Sequence, residues 1–191
     1  RDGAAVQTSV TGPYSSAIVL AGWRLGLDED QIVARFHSAT CAALGYTTGW
    51  DRSLVELKRR VDLSDLDWAE VYLPLARGGP FMHTDNHPAI GALVHLARLA
   101  ARRIGADPDL VDAPWEQMVP DRLMADSTVW PVYPPVAEVL GLRGGYVWRS
   151  LDGAPVGLRG FVRRSLESYA GLAPDDLEPG PLDDPRIAAA V

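Results

Sequence analysis

Apolar positions along this chain recur mainly at three- and four-residue spacing, the period of helices with one buried face. Ser15 or Ser16 is placed to cap a helix running to about Leu25, with Gly26 behind it. Asp28-Glu29-Asp30-Gln31 has the form of a capping box. The helix it opens carries Ile32, Val33, Phe36 and Ala43 on one side and stops at Gly45. A third helix is expected over about 51–61. A fourth, over about 65–76, brings Trp68, Val71, Tyr72 and Leu75 to one side before Gly78-Gly79. The fifth has Asn86 as its cap, Pro88 in its first turn and Gly105 at its end. Its stripe is Ile90, Leu93, Val94, Ala97, Ala101 and Ile104, on which His87 also falls, while His95 groups with Gly91, Arg98 and Arg102 on the polar side.

Beyond Gly105 the pattern shortens. The stretch 106–124 reads as loop with a short helix around Trp115–Met118. Pro134-Pro135 starts another short helix that ends at Gly141. Tyr146-Val147-Trp148 is the best strand candidate, between Gly144-Gly145 and Asp152-Gly153. A last amphipathic helix is expected over 159–172, and the acidic, proline-rich 175–185 is expected on the surface or disordered. The fold class is therefore mainly α with a few short strands.

Length and composition narrow the reading further. The 191 residues suit one compact domain, with 173–191 as a tail. A formal net charge of −7 speaks against a nucleic-acid partner or an anionic lipid surface. The longest apolar stretch, 17–22, is far too short for a membrane span. Cys41 is the single cysteine, which suits a reducing cytoplasm; inside a helix among small residues it reads as a core filler. The chain opens at Arg1 without an initiator methionine and is expected to be a piece of a longer protein.

The chemistry is concentrated in Pro80-Phe81-Met82-His83-Thr84-Asp85-Asn86-His87-Pro88. A histidine at a helix N-terminus feels the positive end of the dipole, which favours a neutral imidazole able to act as a general base. Free N–H groups of the same helix end would hold an oxyanion or a phosphate. His87 is thus the first candidate base and His83 the next, against the bland reading of His87 as a core residue. His83 and His87 invite a zinc reading, but the cap at Asn86 puts His83 outside the helix, and no metal is expected. Trp130-Pro131-Val132-Tyr133-Pro134-Pro135 either stacks on a sugar or an adenine ring or wedges a core shut. Tyr14 and Ser16 offer hydroxyls, with helix capping as the default role of the serine. Arg98, Arg102, Arg103 and the run Lys58-Arg59-Arg60 form solvated helix faces or clamp the phosphates of a nucleotide-bearing ligand.

Three stretches in order resemble the WcbI family of polysaccharide-biosynthesis proteins. Gly12-Pro13-Tyr14-Ser15-Ser16 resembles the family's Tyr-His-Ser segment, and 79–88 its Asn-His-Pro segment. The stretch 130–141 resembles its Tyr-Pro segment and following helix, and 161–169 a downstream helix, for coverage from about 11 to 172. The resemblance implies the helical C-terminal part of a larger α/β protein. It also implies a cytoplasmic bacterial enzyme of capsule or other glycan assembly that binds coenzyme A. Its implied activity is O-acetyl or acyl transfer from acetyl-coenzyme A to a sugar hydroxyl. His87, His83 and Ser16 then become catalytic candidates, and Asn86, Tyr14, Asp85, Tyr133 and Trp130 candidates for substrate binding. Two departures stand out: Ser15 occupies the place of the family's histidine, and the family's Gly-Asn-Cys motif is absent. The alternatives are a glycan- or nucleotide-binding module and an esterase-type hydrolase. A homo-oligomer is left open.

Overall fold

The computed structural model describes residues 6–84, 87–122, 127–173 and 185–191. Among the described residues helices dominate, with one two-stranded sheet, as the spacing predicts. The chain divides into two compact units, 1–49 with 128–191, and 50–127. Each has its own apolar core.

In the first unit, α1 (Ala17–Arg24) leads through Gly26 to α2 (Glu29–Val33). The capping box at α2 is formed in full: Gln31 N–H donates to Asp28 Oδ1 at 2.8 Å, and Asp28 N–H donates to Gln31 Oε1 at 2.9 Å. The single helix expected up to Gly45 is instead two. After α2 the chain turns at Phe36, and His37 opens α3 (Ser38–Ala43). The Phe36 carbonyl accepts from the Tyr146 hydroxyl at 2.8 Å. The Phe36 ring turns into an aromatic cluster with Tyr133, Tyr146 and Trp148.

Strands β1 (Val147–Arg149) and β2 (Pro155–Gly157) pair antiparallel around a turn at Gly153, with Trp148 opposite Val156. Both of these face the core, as the period of two requires. The helix after Pro134-Pro135 spans Pro134–Leu140 (labelled α9 below), and the amphipathic one spans Leu158–Tyr169 (α10). Phe161, Val162, Ser165 and Tyr169 of α10 are buried, and Trp148 stacks on Phe161 at 4.0 Å. The chain end is more than a tail. Pro185–Ala190 (α11) packs against α1 and α3, Thr40 Oγ1 donates to the Ala190 carbonyl at 3.2 Å, and Val191 is buried. Of the expected surface stretch 175–185, all but Pro185 lies outside the described residues.

The second unit holds α4 (Gly49–Val61), α5 (Trp68–Arg77), α6 (Ile90–Arg103), α7 (Pro108–Val111) and α8 (Trp115–Met118). Val61, Val71, Leu75, Ala92 and Leu99 form its core. The stripe expected on α6 is corrected here. Leu93 and Ile104 are exposed at 46% and 83%, whereas Val94 is buried as expected, together with Ala92 and Leu99 from outside the stripe. Partners on both flanks set that orientation. His95 Nε2 meets the Glu70 carbonyl of α5 at 2.8 Å, so it is docked rather than solvated. Arg98 donates to the Val111 and Ala113 carbonyls at 3.0 and 2.6 Å, which ties α6 to the α7–α8 segment.

Candidate active site

The start of α6 differs from the expectation, and the difference reshapes the site. Residues 81–83 and 87–89 pair as the two arms of a hairpin: Met82 bridges Pro88, His83 N–H donates to the His87 carbonyl at 2.7 Å, and Ala89 N–H donates to the Phe81 carbonyl at 2.9 Å. Pro88 is therefore in extended chain, the helix begins at Ile90, and Ala89 stands at the cap with no side-chain bond. Asp85 and Asn86 lie outside the described residues. His87 precedes the helix instead of entering its first turn. Its Nδ1 meets Thr84 Oγ1 at 2.6 Å, within the hairpin.

The group that serves the helix start comes from 31 residues further on. Asp121 Oδ2 accepts from Ile90 N–H at 3.0 Å and lies 2.7 Å from His83 Nε2. A carboxylate suits the positive end of a helix dipole, and this one also fixes the imidazole. With Asp121 as acceptor, Nε2 carries the proton and Nδ1 keeps the lone pair that can accept one. Both side chains are about a fifth exposed, 18% for His83 and 19% for Asp121. The arrangement is a partly exposed carboxylate–imidazole pair whose hydrogen bond orients the ring. The helix end, expected to offer free N–H groups to an external anion, thus gives its Ile90 N–H to the chain's own carboxylate.

Asp121 did not stand out in the sequence. It lies in a loop read only as Asp- and Pro-rich, and its partners are set by tertiary packing. A loop aspartate following the histidine-bearing segment was the one available signal.

The remaining candidates belong to the first unit. Tyr14 is exposed at 52%, and its carbonyl accepts from Thr11 Oγ1 at 2.6 Å. Ser16 precedes α1 but makes no cap bond; its buried hydroxyl lies beside the Tyr133 phenol without the geometry of a formed hydrogen bond. Burial pushes the Tyr133 phenol well above its usual range, and the Ser16 hydroxyl acts in the opposite sense. Tyr133 is a core residue, and Trp130 packs edge-on against Trp148 and Phe161 at 6.5 and 5.9 Å. The aromatic-proline segment is accordingly a wedge in that core. Cys41 is fully buried, and desolvation raises its thiol pKa, as for an inert filler.

The cations read as phosphate clamps all have partners in the chain. Arg98 holds Glu116, Arg102 holds Asp112 at 2.6 Å, and Arg103 reaches Glu70 at 3.3 Å. Lys58 pairs with Asp62, and Arg59 and Arg60 share Glu56. Among the described residues no group of three or more His, Cys, Asp or Glu side chains could hold a metal ion. Nor is any helix among them long and apolar enough to cross a membrane.

Residues 1–109 match the family model described as "Polysaccharide biosynthesis enzyme WcbI". The hairpin with both histidines and the Gly12–Ser16 segment fall inside that match, whereas Asp121 and 130–141 fall beyond it. Comparison with the curated proteins and with the solved structures gives no match.

Proposed function

This chain belongs to the WcbI family of polysaccharide biosynthesis enzymes, and we propose that it transfers an acyl group from a coenzyme A thioester to a sugar hydroxyl, with His83 as general base. The observation that carries the reading is the His83–Asp121 pair. Acyl transfer to a hydroxyl needs a group that removes the hydroxyl proton as the oxygen attacks the thioester carbonyl. His83 Nδ1 takes that proton, Asp121 holds the ring and balances the imidazolium that results, and the leaving thiolate recovers the proton. Coenzyme A enters as a co-substrate that supplies the activated acyl group. Asp121 is itself held by Ile90 N–H at the start of α6, so the base is built from two separated stretches of chain.

His87, bonded to Thr84, is the competing base. The two are separated by measuring thioester consumption in the presence of a sugar acceptor. His83→Gln should lower turnover by about a hundredfold or more while coenzyme A affinity changes little, because a base acts mainly in the transition state. Under this reading His87→Gln follows the folded fraction. Turnover lost with His87→Gln and kept with His83→Gln would reverse the assignment.

A further inference from the structure

A cavity of about 380 Å³ opens between the C-terminal end of α5, the root of the hairpin, α6 and α8. Pro74, Pro80 and Phe81 give it an apolar wall, and His95, Arg98 and Glu116 give it polar groups. Phe81 and Ala89, which join the two arms of the hairpin, both line it, so the cavity borders the element that carries His83.

The polar groups are planar and already oriented. His95 Nε2 is committed to the Glu70 carbonyl, which leaves Nδ1 to accept from a ligand. Arg98 grips both Glu116 oxygens, by a short bond from Nη1 and a 2.9 Å bond from Nη2. That hydrogen bond holds the Glu116 carboxyl below the usual carboxylate range, so the group is an acceptor with lone pairs to spare. Because Arg98 is neutralised by Glu116, the described lining offers no unbalanced cation. Phosphates are poorly served by such a lining. A ligand with several neutral hydroxyls on one side and C–H groups on the other fits it well.

We propose that this cavity is a subsite for a neutral pyranose, the acceptor end of the glycan. The assignment rests on the reading of the enzyme as one that modifies a sugar hydroxyl. The pyranose lays a C–H face on Phe81 and the prolines, and its hydroxyls donate to Glu116 and His95 Nδ1.

Gly91 provides the test. It lines the cavity on α6, its φ is ordinary for a helix, and a Cβ built on it meets nothing within 4 Å. Gly91→Leu should fill the cavity while improving helix propensity, so the variant should melt no lower than the parent. Saturation-transfer NMR on the full chain would use the methyl glycosides of glucose, galactose, mannose and N-acetylglucosamine as probes. At least one should bind saturably, at least about tenfold more weakly to Gly91→Leu, and more weakly also to the isosteric Glu116→Gln. The proposal is overturned if none of the four binds, or if binding survives both substitutions. It is overturned too if Gly91→Leu abolishes coenzyme A binding and spares the sugar. Sugar binding that Gly91→Leu removes, in a protein that consumes no thioester, upholds the subsite and removes the acyl-transfer reading instead.

Discussion

Asp121 accepts from two donors on different elements, and substitutions can address them separately. Asp121→Asn keeps an oxygen for Ile90 N–H but loses the charge that balances a protonated His83. Turnover should fall by less than with His83→Gln, and the melting temperature should drop only slightly. Asp121→Ala also removes the helix-start partner, and its additional stability loss should be about 1 kcal/mol, the usual worth of a cap. Denaturant titration beside turnover separates the two effects. An Asp121→Asn enzyme with full turnover would leave the pair as a structural contact. Gly22 makes a different point about single residues. A Cβ there would lie 2.6 Å from Ile32 Cγ1, where α1 and α2 pack closely. Gly22→Ala should therefore destabilise by about 1–3 kcal/mol despite the better helix propensity of alanine, because overpacking a buried contact outweighs it.

Among the elements, α2 and α10 are joined through charge as well as packing. Glu29 receives Arg163 Nε and Arg159 Nη1, both at 3.0 Å. Its carboxyl is held below the usual range, first by the hydrogen bond from Arg163 and then by Arg159. A carboxyl depressed in the folded state adds stability above its unfolded value, about 4.3, and loses it as pH falls through the native value. Glu29→Gln should thus lower the melting temperature near neutral pH, by less than about 3 °C for so exposed a contact. The difference from the parent should vanish in stronger acid. A difference that persists unchanged to pH 2 would mean the effect is one of packing. Sequence and structure also part at this scale. The ends of α2 at Asp28, of α5 at Gly78-Gly79 and of α9 at Gly141 are where the local residues put them, since caps and positive-φ glycines act within a few residues. At the break at Phe36 and the start of α6 at Ile90 the chain also meets Tyr146 and Asp121, 110 and 31 residues away, contacts that no local pattern carries.

For the whole molecule, the first unit is closed by both ends of its sequence. Its core joins Val10, Ile18 and Ile32 to Trp148, Phe161 and Tyr169, with 50–127 as a separate unit between them in sequence. The C-terminal helix α11 adds to that closure through α1, α3 and the buried Val191. Truncation after residue 184 should expose the face of α3 that carries Thr40 and lower the thermal midpoint by several degrees. An unchanged midpoint would show that α11 merely rests on the surface.

By itself the sequence determined the helical class, most of the helix ends, a strand that includes Trp148 and the buried Cys41, but not the hairpin pairing of the histidine segment. These follow from period, caps and turn residues, whose physics is local. Only the tertiary structure decided which face of α6 is buried, that Arg98 binds carbonyls and Glu116 within the chain, and that Tyr133 is core. It also decided that His83 meets the Asp121 carboxylate. Each of these depends on which surfaces meet across long stretches of chain, and an amphipathic helix with apolar groups on two sides does not say which side will meet a neighbour. The sequence puts His87 ahead of His83, on the apolar stripe of the expected helix; the arrival of Asp121 at His83 Nε2 is what brings His83 forward.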